Sequence, residues 1–322
     1  MDRSLYKCKQ KELTVSASSD DLTLSVLITA PVCGFESYKG IIQIVHGMCE
    51  HKERYIPMMN YFSDYGYVCV IHDQRGHGKS VKCNDDLGYF YDGGWKSIVE
   101  DVRIVNEVIR SIFAGPKVIM VGHGFGSLVA RSFAMRYPQM IKGLFVSGSP
   151  SKVRMLNFTK FLMKIVRLFR GDRYRPKYLQ RQISERQNKG FEPGCPFAWR
   201  SRDVDVQKEF EKDPLCNYVY TVNGLIGLLS VMQDCYGHKT VKNDITKNLF
   251  VYFLFGKEDP CMVSNPRLLE SVRDFSKKGF PNSILQIFRE KRHDLFSGKG
   301  NIEVWDYVLK RVDLMLSYNL YK

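Results

Sequence analysis

The residues best placed to do chemistry surround a glycine-dense turn, Val118–Ala130, which reads V-I-M-V-G-H-G-F-G-S-L-V-A. A short apolar run leads in and a helical pattern, Leu128–Met135, leads out, so the turn carries a strand into a helix. Two kinds of site use that geometry. A dinucleotide-binding turn, G-x-G-x-x-G/A, is met loosely by Gly122, Gly124 and Ser127. It requires an acidic residue about 20 positions on to hold the ribose. Residues 128–150 contain no Asp or Glu, and the turn falls late among the strands. The second kind is the nucleophile elbow, G-x-S-x-G, whose central residue occupies a strained conformation between small neighbours. Gly122-His123-Gly124-Phe125-Gly126 matches it at every position but the centre. Glycine adopts the bend without strain but carries no hydroxyl to act as nucleophile.

The elbow reading is tested by the order of its partners, because such a site runs nucleophile, acid, histidine along the chain. Downstream, F-G-K-E-D-P ends a strand-like run and offers Asp259. R-E-K-R-H-D follows another strand and offers His293. Glu258 and Asp294 are the competing neighbours; the G-x-x-D spacing favours Asp259 as the acid. Upstream, I-I-Q-I-V leads into His46-Gly47-Met48, where an oxyanion-hole amide is expected from Met48, with the second from Phe125 just after the bend. His46 and Gly47 then shape the turn beside a bound substrate. Ser127, inside the helix, is not a substitute nucleophile. His51, His72, His77, His123 and His238 read as structural or exposed. Asp73, Arg75 and His77 read as loop-fixing residues.

These residues must be positioned by alternating elements. Strands are expected at Leu22–Ala30, Ile41–Val45, Tyr67–Ile71, Lys117–Val121 and Leu144–Ser147. Helices are expected around Glu53–Phe62, Ser97–Ile112 and Leu128–Met135. The rhythm breaks after Pro150. Residues 151–245 are rich in helix formers and basic residues. Asn248–Phe255 restores the strand pattern, followed by a helix at 264–277, a strand at 283–288 and a helix from 301 to 317. The expected fold is α/β, a mostly parallel sheet flanked by helices. Its core is formed by 1–150 and 246–322, and 151–245 is inserted as a helical lid.

The 322 residues are 44% hydrophobic and 25% charged, which excludes wholesale disorder and fibrous folds. No run approaches the roughly 18 apolar residues of a membrane span, and the first residues hold no signal-peptide core. Nine scattered cysteines form no C-x-x-C pair, so a zinc ribbon is not expected and reduced thiols are. These readings point to a cytoplasmic protein without metal or organic cofactor. The net charge is +14, and residues 151–190 hold 12 Lys or Arg against two acids, Asp172 and Glu185. A solvated face and an anionic membrane surface both explain that block; nucleic acid does not, since no binding module accompanies it. Within it, Leu156–Arg170 sets Phe158, Phe161, Leu162, Ile165, Val166 and Phe169 on one helical side, facing either lipid or the sheet. The apolar stretch Gly224–Met232, with Leu225, Leu228 and Leu229, would line an acyl-chain tunnel or pack as a core helix.

The motifs H-G-M-C-E-H (His46–His51), D-Q-R-G-H-G-K-S (Asp73–Ser80), G-H-G-F-G-S (Gly122–Ser127), G-K-E-D-P (Gly256–Pro260) and K-R-H-D (Lys291–Asp294) resemble those of one α/β-hydrolase group, as do W-R-S-R-D (Trp199–Asp203) and D-P-L-C (Asp213–Cys216). It is the monoglyceride lipase and lysophospholipase branch, serine aminopeptidase-like, with bacterial members closest in pattern. The resemblance spans nearly the whole chain. It implies cleavage of a carboxylic ester of a single-chain lipid by a serine, His293 and Asp259, with a lipid or acyl ester as partner. It departs at Gly124, where the family has serine. Three readings follow, in order of preference: a lipase-type enzyme whose serine was replaced, a pseudo-hydrolase that binds without turnover, and a slow water-using hydrolase.

Overall fold

The computed structural model describes residues 10–31, 38–113, 118–192, 195–237, 240–241, 244–262 and 265–317. Cys8, Cys33, Lys117 and His238 lie outside the described residues. Eight strands form one sheet: β1 (Gln10–Ser16), β2 (Thr23–Thr29), β3 (Gly40–Val45), β4 (Tyr67–His72), β5 (Val118–His123), β6 (Gly143–Ser147), β7 (Phe250–Gly256) and β8 (Ser283–Phe288). Their spatial order is β1-β2-β4-β3-β5-β6-β7-β8. β1 and β2 pair antiparallel, as do β2 and β4; every later pairing is parallel.

The central strands are apolar at nearly every position because both faces of the sheet are covered. Successive residues alternate between two cores. Val118 and Met120 of β5, Leu144 and Val146 of β6, and Val251, Phe253 and Phe255 of β7 enter one. Ile119, Val121, Phe145, Tyr252 and Leu254 enter the other. The helices are α1 (Ile56–Asp64), α2 (Gly94–Ile112), α3 (Phe125–Arg136), α4 (Leu156–Arg170), α5 (Lys177–Gln187), α6 (Val204–Lys212), α7 (Val222–Cys235), α8 (Asp244–Lys247), α9 (Asn265–Lys277) and α10 (Ile302–Ser317). Helix α2 buries Ile98, Val102, Val105 and Ile109 at intervals of three and four in the first core, with α3 and α7. Helices α1 and α10 cover the second.

The elements expected from the sequence are present, with shifted ends. The 53–62 helix divides into a 3₁₀ turn, Lys52–Tyr55, and α1. The helix after the glycine turn begins at Phe125, three residues before its apolar pattern. Strand β1 escaped the sequence reading. It is an edge strand in which only Val15 is buried, so Q-K-E-L-T-V-S lacks the dense apolar run of its neighbours. Helices α4 to α8 lie between β6 and β7 in chain order.

One very close backbone approach sits where β5 turns into α3. A Cβ at Gly126 would lie 2.2 Å from the carbonyl oxygens of both Val45 and His46, and one at Gly122 would lie 2.6 Å from Gly126 O. Gly126→Ala must therefore push β3 away from α3. We expect a loss of about 3 kcal/mol or more in urea unfolding, at the upper end of single-substitution effects. A variant as stable as the parent would show that this contact is soft.

Candidate functional site

The candidate residues at the bend, the histidine, the acid and the oxyanion turn hang from the carboxyl ends of parallel strands, where an open α/β sheet leaves a crevice. Leu225, Leu228 and Leu229 lie on α7 instead. The bend after β5 puts Gly124 at φ 53° and ψ −121°, a conformation rare for any residue with a Cβ. Its N–H donates to Ser147 O at 2.9 Å. A Cβ there would lie 3.4 Å from His293 Nε2 and 3.5 Å from Gly47 Cα, ordinary contact distances. The bend thus has room for a side chain and points it at the imidazole.

His293 lies in the loop after β8 and Asp259 in the loop after β7. Asp259 Oδ2 is 3.0 Å from His293 Nδ1, and its Oδ1 accepts the Cys261 N–H at 2.8 Å. Burial alone would depress the imidazole, but the Asp259 carboxylate outweighs it and holds His293 well above the ordinary histidine value. Glu258 instead pairs with Arg202 at the surface. Asp294 accepts from Arg54 at 3.0 Å and from Ser297 Oγ at 2.8 Å. The geometry therefore joins Gly124, His293 and Asp259 and leaves the two competing acids elsewhere. Ser127 Oγ donates to Gly124 O at 2.6 Å and is buried in α3, turned away from the imidazole.

The amides of Met48 and Phe125 have no hydrogen-bond partner among the described residues. Phe125 N heads α3, where the helix leaves its first N–H groups free. His46 is committed to the turn. Its Nδ1 donates to Gly47 O at 2.8 Å, and its Nε2 accepts the Gln74 N–H at 3.0 Å. Those two bonds fix one neutral tautomer and hold the loop that presents Met48. Asp73 does related work, its carboxylate accepting the backbone N–H groups of Lys52 and Lys79 at 2.7 and 2.9 Å.

The sequence reading missed a second layer. Glu50 is fully buried; it accepts the Gly47 N–H at 3.1 Å and the Tyr55 hydroxyl at 2.7 Å, and pairs with Arg200 of the inserted segment. Burial would raise its pKa, but the Arg200 guanidinium keeps the carboxyl well below the usual range. Arg292 donates to Ala198 O at 2.7 Å, Asp294 N donates to Arg200 O at 2.7 Å, and the Trp199 ring lies 4.9 Å from the His293 ring. These residues stitch segment 198–201 to the His293 loop. The signal was W-R-S-R-D itself, whose arginines are useful only where carboxylates and carbonyls await them.

Leu225 and Leu229 are buried in the first core and Leu228 packs partly buried against it. Helix α4 is different. Of its residues only Leu156 is buried, while Phe158, Phe161, Leu162, Ile165, Leu168 and Phe169 are exposed, the last two at 80% and 78%. Five of the six residues expected on its apolar side thus face outward, whereas Val166 is half-buried and Met163 packs partly buried against the first core. No helix among the described residues is long and apolar enough to cross a membrane. A shallow depression of about 520 Å³ lined by Val241, Thr246, Gly279 and Pro281 contains none of the site residues.

Against this geometry, the family model described as serine aminopeptidase, S33, matches residues 36–299. The chain belongs to that hydrolase family. A proline iminopeptidase of Saccharolobus solfataricus is 29% identical over 109 residues, covering 34% of this chain and 33% of that protein. A monoacylglycerol lipase of Mycolicibacterium smegmatis is 27% identical over 113 residues, covering 34% and 38% respectively. The match thus takes in little more than a third of these relatives' length. A carboxyl esterase of Bacillus coagulans, solved in complex with glycerol, superposes with a TM-score of 0.83 at 20% identity. That match covers 96% of this chain and 99% of that one, and it establishes the α/β-hydrolase fold.

Four histidines near the site are buried and neutral. Burial lowers His46, His72 and His123 to about 4 and His77 to about 3. Their unfolded counterparts protonate below about 6.5. The unfolded chain therefore binds more protons there, and stability is lost as pH falls from about 6.5 towards about 4. With all four engaged the loss is on the order of 5 kcal/mol per pH unit. Urea unfolding followed from pH 7 to pH 4.5 should show this decline; a flat profile would contradict the burial of neutral imidazoles.

Proposed function

We propose that this site is laid out to cleave the carboxylic ester of a single-chain lipid, such as a monoacylglycerol or lysophospholipid. We further propose that, with glycine at 124, the chain binds such an ester without forming an acyl-enzyme. The observation that carries the reading is His293. Its Nδ1 is held by Asp259, and its Nε2 faces the space a side chain at 124 would fill. A serine there would set its hydroxyl, one bond beyond Cβ, within reach of the imidazole. His293 would take its proton, Asp259 would steady the imidazolium, and the Met48 and Phe125 amides would receive the oxyanion. Without the hydroxyl, the free amides of Met48 and Phe125 still offer a seat for an ester carbonyl oxygen. Water beside Nε2 gives a second, slower route.

Support for the lipid substrate comes from α4 and from relatives whose names include a monoacylglycerol lipase. We assign the exposed apolar side of α4, flanked by Lys160, Lys164, Arg167 and Arg170, to contact with an anionic lipid surface. Attraction of roughly 1 kcal/mol per basic residue near such a surface adds to the burial of the phenyl rings.

Gly124→Ser should raise kcat/KM on monoacylglycerol and short acyl esters by at least roughly 10³-fold. It should also melt a few degrees lower, because serine at φ 53° costs about 1–3 kcal/mol. Its activity should climb with pH, since Asp259 keeps His293 protonated to higher pH and only the neutral ring accepts a proton. Asp259→Asn in that background should cancel the gain. No activity of the serine form on any acyl ester would end this reading. A gain of only a few fold would favour a pseudo-hydrolase, whose retained lipid mass spectrometry of the glycine form would reveal.

Sedimentation with vesicles tests the surface. The protein should pellet with anionic phosphatidylglycerol vesicles more than with phosphatidylcholine, less so at high salt. Phe161→Glu with Leu168→Glu should abolish pelleting while leaving hydrolysis of soluble esters by Gly124→Ser intact. Equal pelleting of parent and double variant would remove α4 from the account.

A further inference from the structure

His51, in the loop after β3, meets Asp213 and Cys216, which lie between α6 and α7. One ligand-type atom from each falls within 4.8 Å of the other two. His51 Nε2 is 2.8 Å from Asp213 Oδ2, and His51 Nδ1 is 2.7 Å from Glu53 Oε2. Asp213 Oδ1 is occupied by the Leu215 N–H at 2.8 Å, which fixes the carboxylate with Oδ2 turned to the imidazole. Cys216 is buried, and its thiol has no hydrogen-bond partner among the described residues.

We infer that this cluster is a zinc-binding site, with His51 Nε2, Asp213 Oδ2 and Cys216 Sγ as ligands and Glu53 as the outer carboxylate. Nitrogen, oxygen and thiolate donors together suit zinc better than a hard, all-oxygen cation. Zinc takes such donors at roughly 2.0–2.3 Å, which sets tetrahedral ligand atoms about 3.3–3.7 Å apart. His51 Nε2 and Asp213 Oδ2, now 2.8 Å apart, must therefore open by about half an ångström to admit the ion in place of their shared proton, while all three ligand atoms already lie within 4.8 Å of one another. Glu53 supplies what a metal-bound histidine ordinarily has, a carboxylate on its other ring nitrogen that fixes the tautomer. Lys52 Nζ, 2.7 Å from Glu53 Oε1, steadies that carboxylate in turn. On binding, zinc displaces one proton from His51 Nε2 and one from the Cys216 thiol, and both leave to solvent. Two anionic ligands then balance the ion, and the fourth position is left to water. Burial holds the Cys216 thiol in its neutral form, and the Arg54 guanidinium, itself paired with Asp294, offsets this only in part, so the ion itself must draw off the thiol proton.

The second His-Cys-Asp cluster, Asp259, Cys261 and His293, serves worse. There His293 offers Nδ1 to Asp259 and its Nε2 faces the Gly124 bend with no outer carboxylate. Because the chosen ligands come from the loop after β3 and from the inserted segment, zinc would pin one to the other beside the Glu50–Arg200 pair. This inference stands apart from the ester-hydrolase reading.

The test is titration of the intact, metal-stripped protein with zinc against a competing chelator, together with cobalt substitution. One equivalent should bind, and cobalt should produce a thiolate charge-transfer band in the near ultraviolet. Cys216→Ser should abolish the band, and Glu53→Gln should weaken zinc binding roughly 10–100-fold. Cys261→Ser should leave both unchanged, and zinc should raise the melting temperature of the parent but not of Cys216→Ser. Matching circular dichroism and melting of the metal-free proteins shows that the variants fold. Failure to bind zinc at micromolar free metal overturns the inference. A band that survives Cys216→Ser and disappears in Cys261→Ser overturns it equally.

Discussion

The packing of α3 against β3 constrains everything else in this molecule. The carbonyl oxygens of Val45 and His46 press against Gly126 so closely that no side chain fits between them. That contact sets the depth at which α3 begins, and so the direction in which the Gly124 bend opens. It also brings the Met48 loop alongside the first turn of α3, leaving two backbone amides on either side of one small space. The bend, the amides and the imidazole are not separately adjustable. They share one strand-to-helix crossing, and the sheet fixes it with apolar residues on both faces.

Around that crossing lies a shell of buried charge. Glu50 with Arg200, Asp294 with Arg54 and Arg75 with Asp101 are all enclosed. Such pairs recover little net stability, because each ion is stripped of water before it meets its partner. Their effect is better described as positional. Removing one member strands the other in a medium that cannot solvate it, so alternative arrangements of the loops are strongly disfavoured. The inserted segment is held by this means at Trp199 and Arg200, whereas α4 and α5, remote from those pairs, expose most of their length.

Much of this was legible in the sequence because it rests on local patterns. Continuous apolar runs between turns announce strands covered on both faces, and the glycines around His123 announce a crossing too tight for side chains. The order of Gly124, Asp259 and His293 follows from strand succession alone. The edge strand β1 was not legible, since a half-solvated strand alternates charged and apolar residues and carries no distinct signature. Nor was Glu50, a carboxylate whose burial depends on an arginine 150 positions away. The two sides of α4 could be drawn from spacing. Which of them faces outward is a tertiary fact, decided by how the helix lies on α7.

The stitching of segment 198–201 to the His293 loop has a thermodynamic corollary. The Trp199 ring packs 4.9 Å from the imidazole and adds to the burial that disfavours its charged form. Proton affinity and indole placement are linked to that extent, and linkage is reciprocal. Any occupant that displaces the indole must change how firmly the ring holds its proton. Protonation must in turn bias where the indole rests. Ligand association should therefore be accompanied by measurable proton exchange with the buffer, a calorimetric signature that belongs to this architecture even where no bond is broken.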